Sequence, residues 1–146
     1  MGKDPVPTFS TCFGAPFLPL PPQIYAQMLA EKMREHKVHC YLLNTGWVGN
    51  PFGQGPRIPL WINRHNVTHA LDGTLDRAEY RVDPIFGFEV PKELPEVPSE
   101  MLNPQHAAKD DKDYYRRARD LAMKFARNFE LFKDVPKEIL AAGPRV

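Results

Sequence analysis

Several signals that place a sequence in a functional class are missing from this chain. It has only two cysteines, Cys12 and Cys40, and both stand in apolar surroundings, so we predict buried thiols in a reducing intracellular compartment. No apolar run approaches the roughly 20 residues that span a bilayer, and the first residues do not form a signal peptide. The net charge is +1, which gives no electrostatic reason to expect nucleic acid or an anionic membrane as a partner.

The motifs of an autonomous active site are also missing. The chain has neither GxxxxGK[ST] nor GxGxxG, and no Ser-His-Asp or Cys-His arrangement is suggested. His65 and His69 stand four residues apart and would share a helix face, but two ligands do not make a metal site. Phosphoryl transfer needs groups that position and neutralise phosphates, usually with a metal. We therefore expect no catalysis by this chain alone and no metal site of its own.

Proline, in contrast, is abundant. The chain has 16, roughly twice the usual proportion, which predicts long irregular connections. Residues 8–22, TFSTCFGAPFLPLPP, are predicted to be extended and buried, since dense proline excludes a helix. Residues 91–106 are predicted to form an extended strap pinned by apolar side chains. Residues 1–7 are expected to be a flexible lead-in to a single domain that covers 8–146.

Apolar periodicity between the proline-rich stretches predicts an α/β fold. A helix should begin at Pro21 or Pro22 and continue through QIYAQMLAEKMREH. Residues 38–43 are apolar on both alternations, as in a strand that is covered on both faces. A short helix is predicted over 63–71.

Farther along, two short strands are predicted on either side of Asp83-Pro84, as a hairpin. The longest helix should run from about Lys112 to Phe132, with one apolar stripe and with Asp110 or Asp111 as its cap. Its basic residues are interspersed with carboxylates, which is typical of a solvated face and not of a nucleic-acid surface. A short amphipathic tail should follow over 133–146.

Residues 44–64, NTGWVGNPFGQGPRIPLWINR, form the glycine-rich stretch around which the chain is organised. Glycines that permit unusual backbone conformations alternate with prolines that stiffen the backbone, and large aromatic residues are spaced between them. This composition predicts an ordered loop. It allows two interpretations: a packed surface loop whose aromatic residues complete the core, or a loop that contacts a ligand at the end of a strand.

Three segments together carry a family resemblance. They are TFSTCFGAPFLPLPPQIYAQMLAEKM, YLLNTGWVGNPFGQGPRI and ALDGTLDRAEYRVDPIFGFEVPKELPEVPSEMLNP. In this order, from about Pro7 to the end, the chain resembles the C-terminal portion of ATP-dependent phosphoenolpyruvate carboxykinase, after the mobile lid. The resemblance implies the C-terminal part of that family's nucleotide-binding domain, with a mixed sheet, amphipathic helices and a long C-terminal helix.

The resemblance also implies a reaction and a site. The full enzyme converts oxaloacetate and ATP to phosphoenolpyruvate, carbon dioxide and ADP in gluconeogenesis, with magnesium and manganese ions. Its phosphate loop, metal ligands and oxaloacetate-binding arginine all precede the region represented here. This region implies a wall against the adenine and ribose of ATP, at Arg57, Ile58 and Asn63.

The chain departs from the family pattern at this same place. Pro56 stands where the family has lysine, and Asn63 where it has threonine. The family's helix of the form TRAIIDAI is here NRHNVTHA, so apolar residues are replaced by His65, Asn66 and His69. These departures put ATP contact in doubt.

Two hypotheses follow for function. The first is a non-catalytic accessory or structural subunit of a larger assembly. This hypothesis expects the sequence from Met1 to be a complete chain and to have a protein partner. The alternative is a domain or split half of an active carboxykinase, in which ATP, magnesium and manganese are bound with a complementary N-terminal half. An unrelated small-ligand binder is a third interpretation. The predicted compartment is the cytoplasm or the mitochondrial matrix.

Overall fold

The structure, a computed structural model, describes residues 8–11, 14–108 and 111–145. The predictions for Cys12, Asp110 and the lead-in at 1–7 lie outside the described residues. Within these ranges, the regular elements are helices and a pair of strands. Their bounds are α1 Pro22–His36, α2 Leu60–Leu71, β1 Tyr80–Val82, β2 Glu89–Pro91, α3 Ser99–Leu102, α4 Pro104–Ala107, α5 Asp111–Phe129 and α6 Lys137–Ala141.

The α/β class is confirmed, with one small antiparallel sheet in the described part of the chain. Strands β1 and β2 pair in the register Tyr80↔Pro91. The predicted hairpin is therefore present, but its second strand begins only at Glu89, several residues after Asp83-Pro84. The reason is the turn, in which the Asp83 carboxylate accepts hydrogen bonds from the N–H groups of Ile85 and Phe86 at 2.9 and 2.6 Å.

Helix α1 forms where it was predicted. Pro22 is its first residue, where a missing N–H group costs nothing. The helix ends at His36, and the left-handed backbone of the next residue, Lys37 (φ 49°), turns the chain so that the Val38 N–H also donates to the Met33 carbonyl, at 3.3 Å. None of its residues is buried, and Met28 on its apolar stripe is 55% exposed.

The prediction of a buried strand at 38–43 is wrong. Leu42 is 78% exposed, and no strand of the described chain pairs with this segment. A strand needs a neighbour that satisfies its backbone groups, and apolar alternation alone cannot supply one. Residues 38–44, which we call the unpaired run, also carry Cys40, whose thiol is exposed and not buried as predicted.

The prediction of a buried, extended segment at 8–22 is likewise wrong for its described part. Phe17 is 86% exposed, and residues Ala15–Phe17 form a single 3-10 turn. Phe9 makes an edge-to-face contact with Phe125 of α5, with ring centroids 5.1 Å apart. The prolines do exclude a regular α-helix here, but little of the described chain covers the apolar side chains.

The core has two parts. The larger one joins the glycine-rich stretch, α2, the strap and α3. The smaller one joins the hairpin turn to α5 through Ile85, Ala118 and Ala122, and Arg145 donates its N–H to the Ile85 carbonyl at 2.7 Å. The members of the larger cluster are Val48, Ile58, Ile62, Leu75, Leu94, Val97 and Leu102.

The strap is extended for only half of its predicted length. Residues 91–98 are irregular apart from the end of β2, whereas 99–107 form the short helices α3 and α4. Two prolines of the strap stand where a helix starts: Pro98 comes directly before α3, and Pro104 is the first residue of α4.

The long helix is confirmed as α5, although it ends three residues earlier than predicted, at Phe129. Ala118 and Ala122 are its buried residues, while Leu121 and Phe125 remain more than a third exposed. The predicted tail contains α6. No helix in the described ranges is long and apolar enough to cross a membrane.

Candidate functional site

The glycine-rich stretch is closed at its base by backbone pairing. Trp47 and Arg57 form an antiparallel bridge, in which the Ile58 N–H donates to the Gly46 carbonyl at 2.8 Å. Val48 donates to the Pro56 carbonyl at 3.2 Å. The predicted ordered loop is therefore what the structure shows.

Two glycines allow a close backbone approach that no other residue would permit. Gly49 has a positive φ of 77°, and a Cβ there would overlap the Ala107 carbonyl oxygen of α4. At Gly55, a Cβ would lie 2.6 Å from the Asn50 carbonyl oxygen. The loop thus folds tightly on itself and against α4, which fixes its position relative to the core.

The aromatic residues of the stretch do not complete the core. Trp47, Phe52 and Trp61 are all more than a third exposed, although Trp47 and Phe52 contact each other edge to face at 5.1 Å. Val48 and Ile58 enter the core instead. The interpretation of the stretch as a packed loop whose aromatic residues complete the core is therefore wrong about the aromatic residues.

The three residues of the implied nucleotide wall differ in where their side chains lie. Arg57 is exposed, and its Nε donates to the Thr45 carbonyl at 3.3 Å. Ile58 is buried in the larger core cluster. Asn63 is buried in the first turns of α2. The structure does not bring the three to one surface: Arg57 is the member that is open to a ligand.

Helix α2 carries an unusual row of buried polar atoms. The side-chain oxygens of Asn63 and Asn66 and the Nδ1 of His69 are buried without a hydrogen-bond partner. These residues follow one another at intervals of three, so they spiral along one side of the helix. Polar groups buried in this way cost about 1–3 kcal/mol each, so this side of α2 is not optimised as a core face.

The histidines that depart from the family pattern contact the strap. The Nε2 of His69 lies 2.8 Å from the Pro95 carbonyl oxygen, and the Nδ1 of His65 lies 3.0 Å from the Glu96 carboxylate. Their rings are neighbours, as the spacing of four predicted. Sequence reasoning missed the strap contacts because they join residues 26 or more positions apart. The sequence feature closest to a signal for these contacts was the i, i+4 spacing of the two histidines, together with a proline-containing turn in the strap.

A second polar cluster ties the unpaired run to the chain that follows α2. The Tyr41 hydroxyl donates to the Asp76 carboxylate at 2.5 Å, and the His39 Nδ1 lies 2.5 Å from the same oxygen. The hydrogen bond from Tyr41, followed by the one from His39, lowers the pKa of Asp76, and the same carboxylate raises the pKa of Tyr41. These groups are exposed, and we interpret them as an anchor for the run.

Neither the basic helix face nor the histidines of the described chain form a further site. On α5, Asp113 pairs with Arg117 and with Arg116, and the hydrogen bond from Arg117, followed by the one from Arg116, lowers the pKa of the Asp113 carboxyl. Among the described residues, no cluster of three or more His, Cys, Asp or Glu side chains is placed to hold a metal. The magnesium and manganese ions implied by the resemblance therefore do not fit the donors that this part of the chain offers.

The sequence and fold together define the class of protein. A family model described as phosphoenolpyruvate carboxykinase matches residues 1–100, so the chain belongs to the phosphoenolpyruvate carboxykinase family. The resemblance carried by its segments is thereby confirmed.

Several similar proteins carry the name phosphoenolpyruvate carboxykinase (ATP). The chain is 50% identical to phosphoenolpyruvate carboxykinase (ATP) of Caldanaerobacter subterraneus, over 97% of this chain and 27% of the relative. It is 51% identical to the Thermus thermophilus protein of the same name, again over 97% and 27%. It is 48% identical to that of Bradyrhizobium diazoefficiens, over 100% and 27%. The chain thus spans about a quarter of the length of these relatives.

Proposed function

We propose that this chain supplies the adenine- and ribose-facing wall of an ATP-dependent phosphoenolpyruvate carboxykinase. The remaining three quarters of such an enzyme would provide the phosphate-binding and metal-binding groups. The observation that carries the proposal is the exposed Arg57 guanidinium, held against the Thr45 carbonyl at the closed base of the glycine-rich stretch. The names of the relatives, which include ATP, support the same assignment.

Arginine suits this role for physical reasons. Its guanidinium is planar, always charged and rich in N–H donors, so it can stack on a flat base and donate to a ribose hydroxyl. The Trp47–Arg57 bridge and the approach of Gly49 to α4 hold the loop in place before a ligand arrives. Less conformational entropy is then lost on binding. Ile58 contributes because its buried side chain fixes the backbone next to Arg57.

The proposal assigns binding and orientation to this chain, and no chemical step. When bound by the complete enzyme, ATP supplies the phosphoryl group. Arg57 acts on the base and sugar, far from the transferred phosphate, so its interactions should be equally strong in the ground and transition states. Removing them should raise the KM for ATP and leave kcat nearly unchanged.

A chimera tests this directly. This chain would replace the matching C-terminal quarter of the Thermus thermophilus enzyme, to which it is 51% identical. We expect Arg57→Ala to weaken ATP binding about tenfold, the effect of losing a hydrogen bond from a charged group. Arg127→Ala, which removes an exposed arginine from the last turn of α5, is the matched control and should bind ATP as the unmodified chimera does. Equal ATP affinity in the two variants would sink the proposal.

A second candidate function is an accessory subunit of a larger protein assembly. It is favoured by a specific observation: His65 and His69, which replace family residues on α2, contact the strap. In this chain, the helix that follows the nucleotide wall therefore uses these two positions for contacts with the strap. This reading predicts a folded chimera without carboxykinase activity even at saturating ATP, and companions unrelated to carboxykinase when the chain is purified from its source. An active chimera would exclude it.

A further inference from the structure

We propose that residues 94–97 act as a clasp on α2, and that His69, with His65 and Glu96, positions the nucleotide wall. This inference rests on the proposed function and extends it to residues that do not touch the ligand. The clasp is the turn at the middle of the strap, closed by an antiparallel bridge between Leu94 and Val97.

The apolar half of the clasp enters the core beside the wall. Leu94 and Val97 are both buried, and they belong to the same cluster as Ile58 and Ile62. Ile58 is part of the glycine-rich stretch and Ile62 lies in the first turn of α2. The turn therefore packs against the loop and the helix together, at the point where one continues into the other.

The polar half holds α2 at two places. His69, which is 7% exposed, contacts the Pro95 carbonyl through Nε2 at 2.8 Å. A carbonyl can only accept a hydrogen bond, so the proton of this bond is on Nε2. One turn earlier on the same face, His65 pairs with Glu96 at 3.0 Å in a more exposed position. The buried bond carries more of the attachment, because exposed ion pairs contribute little.

The backbone of the clasp is itself under strain. Glu96 has φ 58°, a left-handed conformation that favours glycine or asparagine. Such a residue costs about 1–3 kcal/mol and persists where its surroundings over-determine it. Here the surroundings are the two buried apolar anchors and the histidine contacts. The contacts with α2 thus stabilise the turn, and the same contacts stabilise the position of α2.

Two attachments on one helix face fix the rotation of that helix about its axis. The helix begins directly after Ile58 and Pro59, so its rotation sets the direction of the chain that carries Arg57. Loss of the His69 bond should let α2 turn and fray, which displaces the wall without removing any group from it. His65, His69 and Glu96 are therefore positioning residues.

The test uses the chimera that carries this chain. We expect His69→Ala to raise the KM for ATP about fivefold with kcat changed less than about twofold, since one neutral hydrogen bond is lost. Backbone amide exchange should accelerate over residues 60–71 and 93–98. His69→Gln restores an N–H donor at a similar reach and should recover both measurements. His69→Leu has a similar bulk but no donor, so it should recover neither measurement; recovery in His69→Leu as well would show that His69 acts through its volume and would overturn the role of this hydrogen bond.

A milder variant keeps the proposal testable if His69→Ala does not fold. Glu96→Ala changes an exposed side chain and should accelerate exchange in residues 60–71 about twofold, without loss of the fold. Unchanged exchange in Glu96→Ala would overturn the clasp, whether or not His69→Ala folds.

Arg57→Ala, measured beside these variants, separates the two proposals. If Arg57→Ala weakens ATP binding and His69→Ala does not, the clasp is wrong and the wall stands. If Arg57→Ala has no effect on ATP binding, both proposals fall.

Discussion

Helix α1 has a higher density of apolar residues than the glycine-rich stretch, yet only the stretch contributes side chains to the core. Val48, Ile58 and Ile62 from the stretch and α2 lie in the core. In α1 and the unpaired run, in contrast, no residue is buried, although the apolar pattern is at least as regular. Composition therefore does not account for the difference.

The difference lies in which neighbours the described chain supplies. The stretch receives the strap, α3 and α4, all from sequence that follows it. On the apolar stripe of α1, in contrast, Ile24, Met28 and Leu29 each stay more than a third exposed. The apolar side chains of the stretch are thus covered by later sequence, whereas α1 has the apolar pattern of a core helix but no buried residue.

The comparison predicts that close backbone approach in the stretch is the most sensitive feature of the fold. Gly49→Ala should destabilise the chain by about 3 kcal/mol or more, because it combines an unfavourable φ with overlap of the Ala107 carbonyl. Gly53→Ala is the matched control, since its φ of 78° is the same but a Cβ there would meet nothing within 4 Å. It should cost about 1 kcal/mol. Urea unfolding measures both, and equal losses would show that overlap is unimportant.

Truncation of apolar side chains compares the two regions directly. Ile62→Ala removes a side chain that is 2% exposed and should cost about 2–5 kcal/mol. Met28→Ala in α1 should change the free energy of unfolding by less than about 0.5 kcal/mol, since that side chain is already in contact with water. Chemical denaturation of the chain alone gives both values. A large loss for Met28→Ala would mean that α1 is covered in solution, by a second copy for example.

The smallest expected effect concerns the anchor at Asp76, which joins the unpaired run to the chain that follows α2. The pKa of Asp76 is lowered in the folded state by its bonds from Tyr41 and His39. A lowered pKa stabilises the fold above the ordinary carboxyl range, and this contribution is lost as the pH falls through the folded-state value, below about pH 4. The protection of the amides of residues 39–42, measured as the exchange rate relative to the intrinsic rate at each pH, should therefore fall below that pH. Asp76→Asn should show low protection at every pH, whereas protection that persists in this variant would contradict the anchor.

Much of the fold was predictable where the signal is local. The apolar stripe of α5 and the proline that begins α1 each specify an element within a few residues, and both helices form. The hairpin was also predictable, because Asp83-Pro84 separates two alternating segments. Its exact second strand was not, since the side-chain bonds of Asp83 lengthen the turn.

The failures share one cause, which is dependence on distant sequence. A strand at 38–43 requires a neighbouring strand, and burial of α1 requires a packing surface; neither requirement can be read within a short window. At the candidate site, the order of the loop could be predicted from its glycines and prolines. The attachment of His69 to Pro95 could not, because nothing local links positions 26 apart.

The anchor at Asp76 has a consequence for how the unpaired run would join a sheet. His39 and Tyr41 are two residues apart, and both reach the same carboxylate, so one side of the run is already fastened to the folded chain. Leu42 and Cys40 alternate with them and remain open to solvent. Ordering a residue costs about 1–2 kcal/mol, and folding has already met part of that cost here. A strand that pairs with the unpaired run would therefore pair with a segment whose direction and register are already fixed.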